Sequence, residues 1–563
     1  MQDPGTSAKL RVRSAVEKAL VDAAATNELP KAENISFIVE IPKDTSKGDL
    51  ACNVAMSSAG LFRMSPMKIS EVLLKYLHSN NDGFFERIEA VPPGFINFFF
   101  GDSFYFSSLK DILTQNENYG KTDFGCNKKY MVEFVSANPT GPMHLGNARG
   151  GALGDCLASL LQVAGYDVCR EFYVNDAGSQ IDKFASSLEA RYLEIYDKTA
   201  VFPEDGYQGE DITEHAANFA YIYGDKYVTA SPEERKKALV DYALPLNLEY
   251  MKSILSDYRI VYDNWFLESS LHKSRTVDKV IGILRERDAL YEKDGALWYK
   301  ATDFGLEKDE VLVRKNGFAT YFAVDIAYHY NKFIEREFDT VTDVWGADHH
   351  GHVARLKSAM KALGIDSDKL NIVINQMVNL IRDGENVRMS KRTGKVITLS
   401  TLLDEIPVDA ARFFFNLREP TSHLDFDLDL ASKQSSDNPV YYVQYAHARI
   451  CSILTGLTAN GIDIDSSLSS DFTVLRTEEE RSLIRHLCYF PGEIITAITE
   501  FNPARITRYT IELATLFHKF YTNCRVKGED DSIMYPRIAL CIASKQVIKN
   551  CLQLLKITAP ESM

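Results

Sequence analysis

A hydrophobic strand, a Pro/Gly-rich loop and a helix follow one another in the second hundred residues, and this succession constrains the fold most. Apolar residues form a continuous run before the loop and recur at helical spacing after it. The segments are a strand at Tyr130–Val135, a loop at 136–143, a helix from Leu145 that ends at Gly165, and a strand at Asp167–Val174. Strand, loop and helix in that order predict the nucleotide-binding half of a doubly wound parallel sheet.

Mixed helix and strand patterns flank this unit on both sides. Before it, apolar spacing predicts one helix and two strands, and a second set of α/β signals begins at Tyr321. These elements are a helix at Val12–Ala25 and strands at Phe37–Ile41, Phe95–Phe100, Asp339–Trp345 and Asn371–Asn379. The stretch from about 178 to 310 is more polar, and we interpret it as an insertion between two halves of the sheet.

The pattern predicts three domains within one chain of 563 residues. From residue 436 the spacing is helical almost throughout, with breaks at Thr458–Ser470 and Gly528–Ser532, which favours a helical bundle. The predicted fold class is α/β, with a Rossmann-like, doubly wound parallel sheet. The domains are an N-terminal α+β domain (1–112), a Rossmann-like domain containing the insertion (113–435), and a C-terminal all-α helical bundle (436–563).

Composition excludes several classes of protein. The chain is 45% hydrophobic and 25% charged, and no run of about 18 apolar residues predicts a membrane span. Residues 1–18 lack the apolar core of a secretion signal, so we expect none. The nine cysteines include no Cys-x-x-Cys pair, and we therefore expect free thiols in a reducing cytoplasm. A net charge of −15 argues against indiscriminate nucleic-acid binding, although a local patch can bind a specific RNA.

The loop after the first strand has the residues of a phosphate-binding turn. Pro139, Gly141 and Gly146 shape the backbone where the helix begins, and the N–H groups of a helix N-terminus attract phosphate. His144 can donate to a phosphate oxygen, and Asn147 lies about one turn later on a similar face. Both suit the stabilisation of charge on a transferring nucleotidyl group. The structural alternative is a turn capped by a histidine, which the flanking strand and helix disfavour.

A second motif, at 382–395, combines positive charge with two glycines. Its five cationic side chains are Arg382, Arg388, Lys391, Arg392 and Lys395. Such a charge density on a loop with glycine hinges suits a clamp that closes on a triphosphate. Lys391 or Lys395 would neutralise the charge on departing pyrophosphate. Taken alone, the stretch is also typical of a solvated surface loop, and only the upstream motif favours the functional interpretation.

Together the two motifs resemble the ATP-handling signatures of class I aminoacyl-tRNA synthetases. His-Leu-Gly-Asn at 144–147 resembles the HIGH signature, and Arg-Met-Ser-Lys-Arg at 388–392 resembles KMSKS. Asn147 stands in place of the second histidine, and Arg388 in place of the first lysine. Longer strings resemble the arginyl-tRNA synthetases of bacterial type, and the resemblance runs from roughly residue 10 to the end. These strings lie at 133–146, 319–325, 345–351 and 437–449.

The resemblance implies that the chain ligates arginine to tRNA. The arginine carboxylate would attack the α-phosphate of ATP, and the terminal ribose hydroxyl of the tRNA would then take the arginyl group. The expected substrates and partners are L-arginine, ATP as its Mg²⁺ complex, and tRNA(Arg). Activation that depends on bound tRNA is also implied. We further expect a cytoplasmic monomer with no structural metal and no membrane contact.

The resemblance also assigns roles to individual residues. It assigns catalysis to His144, Asn147, Lys391 and Lys395. It assigns ATP binding to Pro139, Gly141, His144, Gly146, Asn147, Gly346, Asp348, His352, Met389, Ser390 and Lys391. It assigns arginine binding to Glu133, Ser136, Asn138, Tyr321 and Asp325, with His349 or a near neighbour as a further candidate. A guanidinium needs carboxylates in a multidentate arrangement, and Asp325 follows Tyr321 by four positions, so both can face one site. Taken alone, Asp325 is also typical of a solvated helix charge.

Contacts with tRNA are implied at both ends of the chain. The N-terminal domain of the family approaches the outer corner of the tRNA, and the C-terminal domain takes the anticodon. The candidate residues are Phe95, Asn97, Arg449, Tyr521, Asn523, Arg525 and Met563. Phe95 and Asn97 would read a base by stacking and by hydrogen bonds to its edge. Phe95 equally fits a strand core, and Tyr442 and Tyr445 equally fit the core of a bundle.

Rival interpretations remain at this point. The cluster Asp348–His352 has the residue types of a metal site, but no cysteine or distant histidine pair completes a tetrahedral set. Rival functions are another class I synthetase, a small-molecule ligase on the same nucleotide fold, and a non-catalytic RNA-binding relative. The helical tail argues against the small-molecule ligase. The non-catalytic relative is disfavoured by the presence of His144, Lys391, Glu133 and Asp325.

Overall fold

The computed structural model describes residues 4–32, 35–42, 47–198, 200–387 and 397–563. Within these ranges no helix is both long enough and apolar enough to cross a membrane. All nine cysteines are described and all are free thiols, as predicted. Part of the second motif falls outside the described residues, namely Arg388, Met389, Ser390, Lys391, Arg392 and Lys395.

The N-terminal part is an antiparallel sheet covered by helices. Its elements are α1 (Pro4–Ala25), β1 (Val39–Glu40), β2 (Leu50–Cys52), α2 (Val54–Phe62), α3 (Pro66–Ser79), β3 (Phe85–Val91), β4 (Phe95–Phe100) and α4 (Asp102–Gln115). The strands lie in the order β1-β2-β4-β3. The predicted strand Phe95–Phe100 is confirmed as β4. The predicted strand Phe37–Ile41 shortens to β1, because only Val39 and Glu40 pair with the short strand β2.

The central part contains the predicted strand, loop and helix, followed by further α/β elements. They are β5 (Lys129–Glu133), α5 (Leu145–Val163), β6 (Asp167–Val174), α6 (Ser179–Tyr196), α7 (Glu210–Tyr223), α8 (Pro232–Asp257), β7 (Asn264–Leu267), α9 (Glu268–Lys273), α10 (Thr276–Glu286), β8 (Leu290–Lys293), β9 (Ala296–Tyr299), β10 (Glu310–Val313), α11 (Tyr321–Tyr330), β11 (Thr340–Gly346), α12 (His350–Ala362) and β12 (Leu370–Asn375).

Five of these strands form one parallel sheet in the order β12-β11-β5-β6-β7. The chain runs outward from β5 to β7 and later returns to the other side of β5 at β11. The crevice between the carboxyl ends of β5 and β11 is therefore a topological switch point, where open α/β sheets bind ligands. The predicted α/β fold class is confirmed.

The stretch predicted as one insertion, about 178–310, contains a strand of the main sheet. Strand β7 pairs with β6 and separates the helices α6–α8 from a small antiparallel sheet of β8, β9 and β10. The sequence pattern missed β7 because it has four residues and lies within a largely polar stretch. Two insertions therefore flank this strand.

Helix α5 is buried on all sides, although its apolar spacing predicted one buried face. Every residue from Ala148 to Leu161 is buried, and the polar ones are paired. Asp155 accepts from Arg170 Nε at 3.0 Å and from Arg412 Nη2 at 2.6 Å. Gly154 is required for close packing, since a Cβ there would lie 2.3 Å from the Phe134 ring.

A second small sheet follows the parallel one. Its elements and the helices around it are β13 (Val378–Arg382), β14 (Glu385–Asn386), α13 (Leu399–Glu405), α14 (Val408–Phe415), β15 (Leu424–Asp427) and α15 (Leu428–Ser432). The prediction of a single strand at Asn371–Asn379 is wrong, because β12 ends at Asn375 and β13 joins β14 and β15. Between them the Gln376 backbone donates to Pro420 O at 2.9 Å and accepts from Arg149 at 2.8 Å, so the chain leaves the sheet.

The C-terminal part is the predicted helical bundle. Its helices are α16 (Pro439–Ala459), α17 (Glu478–Cys488), α18 (Phe490–Thr499), α19 (Ala504–Asn523) and α20 (Asp531–Leu554). The predicted breaks correspond to the segments after α16 and after α19. The bundle also carries the N-terminal part: Arg485 lies 3.1 Å from Asp49 Oδ1, and Arg481 pairs with Asp102. These contacts fix both ends of the chain to one another.

Candidate active site

The loop that follows β5 turns back on itself before α5 begins. Val135 and Ser136 have φ values of 70° and 41°, which is unusual for a β-branched residue such as valine. The turn directs the Ser136 hydroxyl to two partners, since it donates to Glu133 Oε1 at 2.8 Å and accepts from the Tyr173 N–H at 3.1 Å. The loop is therefore fixed to the ends of two neighbouring strands, β5 and β6.

His144 and Asn147 lie together at the start of α5. His144 is the N-cap residue, and its N–H donates to Asn147 Oδ1 at 2.9 Å. Because this oxygen is used in the cap, the Nδ2 donors are what Asn147 can offer a phosphate. The His144 side chain is exposed and Asn147 is half-buried. The N–H groups of the first helical turn therefore lie beside two polar side chains, an arrangement that can bind phosphate.

Two helices of the first insertion hold this loop from outside. Asn247 on α8 is buried and donates from Nδ2 to Pro139 O at 2.9 Å. Its Oδ1 lies 2.7 Å from His215 Nε2 on α7. Sequence reasoning missed both residues, because 108 positions separate Asn247 from the loop and no local pattern links them. The other predicted loop residues are half-buried or exposed, namely Asn138, Gly141 and Gly146.

The described residues on either side of the predicted cationic loop pair with neighbouring segments. On one side, the Val387 N–H donates to Leu380 O at 2.8 Å. On the other side, Thr398 forms an antiparallel bridge with His144, and the Leu399 N–H donates to Met143 O at 2.9 Å. The chain that follows the second motif therefore pairs directly with the first motif.

Three carboxylates surround Tyr173 near the carboxyl end of β6. The phenol donates to Glu268 Oε2 at 2.8 Å. Burial raises the pKa of Tyr173, and the nearby charges of Glu268, Asp325 and Glu133 raise it further. The concentration of negative charge here is suited to a cationic ligand. Glu268 was not predicted, because only the fold brings it close to Asp325.

Glu268 is a buried acid with a raised pKa. It is only 4% exposed. Burial, together with the charges of Asp325 and Asp176, raises the pKa of Glu268 to about 7, although the bond from Tyr173 opposes this shift. A carboxyl group with such a pKa is only partly ionised at neutral pH. A bound cation would favour its ionised form.

Asp325 and Tyr321 share one side of α11 but have different partners. Asp325 Oδ2 lies 2.9 Å from His352 Nε2, and the carboxylate is 37% exposed. The Tyr321 hydroxyl forms a hydrogen bond with Ser179 Oγ at the start of α6. His352, which the resemblance assigned to ATP, thus contacts a residue assigned to arginine.

A cavity of about 660 Å³ opens beside these residues. Its walls come from α6, α9, α10, α11 and the turn before α11. They include Gly178, Glu268, His272, Arg275, Arg314 and Tyr321. A volume of this size falls within the range of small-molecule binding sites.

The carboxyl end of β11 lies next to that of β5. Gly346 ends the strand, and the following turn, Ala347–His349, exposes Asp348 and His349. Their side chains lie 3.6 Å apart. Among the residues that the structure describes, no three His, Cys, Asp or Glu side chains group together as ligands for a metal ion.

The predicted tRNA residues of the N-terminal part lie on β4. Phe95 is half-buried, and Asn97 is only 2% exposed. Asn97 pairs across the sheet with Ala51 on one side and Glu89 on the other. Phe95 thus has surface available for stacking, whereas most of Asn97 is covered by neighbouring chain.

Two of the predicted tRNA residues in the bundle contact each other. The Arg449 guanidinium lies 4.8 Å from the centre of the Tyr521 ring. Asn523 ends α19, the helix that carries Tyr521, and its Nδ2 donates to Glu479 Oε1 at 2.9 Å. Arg525 is exposed, and Met563 lines a surface pocket together with Tyr441 and Gln444. The bundle thus presents a stacked cation and ring on its surface.

Comparison with protein families covers nearly the whole chain. Residues 108–423 match the model described as "tRNA synthetases class I (R), catalytic domain". Residues 10–100 match "Arginyl tRNA synthetase N terminal domain", and residues 443–563 match "DALR anticodon binding domain".

Individual proteins are similar over the same length. The "Arginine--tRNA ligase" of Caldanaerobacter subterraneus subsp. tengcongensis is 54% identical and covers 100% of both chains. That of Acetivibrio thermocellus is 51% identical and covers 99% of both. The arginyl-tRNA synthetase structure from Thermus thermophilus has a TM-score of 0.76 at 22% identity, covering 98% of this chain and 100% of that one. At this identity the likeness concerns the fold.

Proposed function

The chain belongs to the arginyl-tRNA synthetases and is an arginine–tRNA ligase, and from that premise we propose how its residues divide the work. In the first step an arginine carboxylate oxygen attacks the α-phosphorus of Mg-ATP, and pyrophosphate leaves. In the second step the terminal ribose hydroxyl of tRNA(Arg) attacks the arginyl carbonyl, and AMP leaves. Class I resemblance implies the 2′-hydroxyl. Both steps rely on positioning and electrostatics.

The arginine site lies where carboxylates surround Tyr173. Asp325 and Glu268 form the end that takes the guanidinium, since a planar cation with five donors is best bound by more than one carboxylate. Glu133, Ser136 and Asn138 take the α-amino end, because they adjoin the loop where the arginine carboxylate must reach ATP. The single observation that carries this proposal is the clustering of carboxylates near Tyr173, whose phenol donates to the buried Glu268 at 2.8 Å with Asp325 nearby.

The ATP site lies at the switch point between β5 and β11. His144, Asn147 and the first turn of α5 bind the phosphates, and Gly346 and Asp348 bound the nucleotide on the β11 side. The bridge between Thr398 and His144 supports this arrangement, since it brings the end of the cationic loop to the phosphate loop. Lys391 and Lys395 would then neutralise the departing pyrophosphate. Magnesium enters as part of the ATP substrate.

The tRNA binds along both terminal parts of the chain. Phe95 contacts the outer corner with its accessible ring, whereas Asn97, which is 2% exposed, offers a base little surface. Arg449 with Tyr521 stacks on bases of the anticodon region. Asn523, Arg525 and Met563 complete that surface. We also propose that the protein acts in the cytoplasm as a monomer. The presence of both substrate sites in one chain supports the monomer, and the nine free thiols support the compartment.

Competition between arginine and its neutral isostere tests the arginine site. The experiment measures charging of tRNA(Arg) with labelled arginine in the presence of citrulline or lysine. Citrulline has nearly the shape of arginine but no charge, and lysine has the charge without the planar fork. We expect neither compound to compete at a hundredfold excess, because unpaired buried carboxylates penalise both. Strong competition by citrulline would overturn the proposal that carboxylates select the substrate.

A further inference from the structure

A continuous network of four ionisable side chains adjoins the proposed arginine site. Lys332 Nζ donates to Glu133 Oε2 at 2.6 Å and to Asp343 Oδ1 at 2.8 Å. The other oxygen of Asp343 lies 2.8 Å from His329 Nε2. The opposite ring nitrogen of His329 lies 2.8 Å from the backbone oxygen of Asp325. The network thus runs from Glu133, proposed for the α-amino end of arginine, to the backbone of Asp325, proposed for the guanidinium end.

Burial makes each of these bonds consequential. Lys332 and Asp343 are both 0% exposed, and His329 is 3% exposed. Ions so fully withdrawn from water are tolerated only when paired and hydrogen-bonded. Although burial opposes ionisation, Lys332 and His329 lower the pKa of Asp343 to about 2. The carboxylate therefore stays ionised and holds Lys332 on one side and His329 on the other.

A local departure from helical geometry delivers Lys332 to this place. Helix α11 continues into a π-helical turn at Asn331–Glu335, in which each turn holds more residues than in an α-helix. Such turns are rare and often occur at functional sites. Here the turn buries Lys332, with its Nζ 4.2 Å from the centre of the Tyr328 ring.

We propose that Lys332 and Asp343 are positioning residues that orient Glu133 toward the α-ammonium of arginine and, through His329, tie that orientation to the backbone of Asp325. This inference rests on the proposed arginine site. Neither Lys332 nor Asp343 contacts the substrate in this arrangement. Lys332 fixes one oxygen of Glu133 and Ser136 fixes the other, so the carboxylate can rotate little. Its remaining lone pairs are left with a defined direction.

The rival explanation is that this network of side chains only stabilises the fold. Both explanations predict a lower melting temperature when Lys332 is replaced. They differ in which group of the ligand must be present for the substitution to weaken binding. A positioning role concerns the α-amino group, whereas a general loss of structure weakens every ligand of the site.

Binding of two ligands that differ only in that group separates the explanations. L-arginine and 5-guanidinopentanoate, which is arginine without the α-amino group, are titrated calorimetrically into the enzyme–tRNA(Arg) complex without ATP. For Lys332→Met we expect arginine to bind at least tenfold more weakly and the analogue to change less than threefold. Equal weakening of both ligands, or no weakening of arginine, would overturn the proposal.

Two further variants keep the test decisive. Lys279→Met is the matched control, since Lys279 is half-exposed and pairs with Glu335 of the same π-helical turn at 2.9 Å. It should change neither ligand. Asp343→Asn retains the pair between Lys332 and Glu133. Its single side-chain oxygen can accept from Lys332 or from His329, whereas the two oxygens of Asp343 contact both. Asp343→Asn should give a smaller selective loss, and it replaces Lys332→Met if that variant does not fold; equal loss of both ligands in it would likewise overturn the proposal.

The Glu133→Gln variant distinguishes a wrong positioning role from a wrong arginine site. Glu133→Gln should itself weaken arginine selectively over the analogue. If Glu133→Gln has that effect and Lys332→Met does not, the positioning role is wrong while the arginine site stands. If Glu133→Gln has no effect on arginine, the assignment of Glu133 is wrong, and the positioning role falls with it.

Discussion

Arginine should bind more tightly as the pH rises through about 7, because Glu268 must lose its proton. Burial and the charges of Asp325 and Asp176 raise the pKa of Glu268 to about 7. The guanidinium stays cationic throughout this range, so it competes with the proton for the same carboxylate. One competing proton with that pKa makes arginine bind about tenfold more weakly at pH 6 than at pH 8.

The same shift has a defined sign for the stability of the arginine-free protein. The ordinary value of 4.5 applies to Glu268 in the unfolded chain and lies below the folded value. The resulting stabilisation is therefore complete below about pH 4.5 and is lost as the pH rises through about 7, by up to about 3 kcal/mol. Arginine offsets this loss. Saturating arginine should consequently raise the melting temperature more at pH 8 than at pH 6.

Calorimetric titration of arginine at pH 6, 7 and 8 measures this dependence, with tRNA(Arg) bound and ATP absent. Glu268→Gln should remove the pH dependence and bind arginine about 10- to 150-fold more weakly at pH 8, from the loss of a charged hydrogen bond. Glu249→Gln, a change at an exposed position of α8, is the control and should behave as the natural protein. A tenfold dependence that persists in Glu268→Gln, or a flat profile in the natural protein, would refute the reasoning.

Three further sets of variants test other parts of the structure. Asp325→Asn should reduce arginine-dependent pyrophosphate exchange at least about 100-fold while ATP still binds in a filter assay, and normal exchange would contradict the pocket. Asp155→Asn should lower the free energy of unfolding by about 3–5 kcal/mol in urea titration, because Arg412 is 0% exposed and would lose its carboxylate partner; a loss below about 1 kcal/mol would show that the pair matters little. Arg449→Ala and Tyr521→Ala should each weaken tRNA binding in a gel-shift assay, and the double variant should lose less than the sum, since the two groups are in contact. Additive losses, or losses of arginine binding, would count against a shared tRNA surface.

Local patterns in the sequence were sufficient for the fold class and for several elements. The strand, loop and helix around residues 130–163 and the strand β4 were predicted because their apolar spacing is regular and their ends carry proline or glycine. Strand β7 escaped because four residues show no period. The break after Asn375 escaped because it depends on Arg149 and Pro420, which lie far away in the sequence. The predicted domain boundaries, after 112 and 435, stay predictions.

Within the candidate active site, only the part that one motif contains was predictable from the sequence. His144 and Asn147 follow from the loop and the helix start, and their proximity is a property of a few consecutive residues. Glu268, Asn247 and Lys332 reach the site from separate elements, so no local pattern identifies them. Their signal is tertiary: a raised pKa, a buried bond to the loop, and a buried cation beside Glu133.

The most direct test of the central claim is ATP–pyrophosphate exchange measured with each of the twenty amino acids, with and without tRNA(Arg). Exchange reports the first step alone, and so it identifies the amino acid that the carboxylates around Tyr173 select. Exchange with arginine only, and only when tRNA is present, is the predicted result. Exchange with another amino acid, or no exchange under any condition, would contradict the claim.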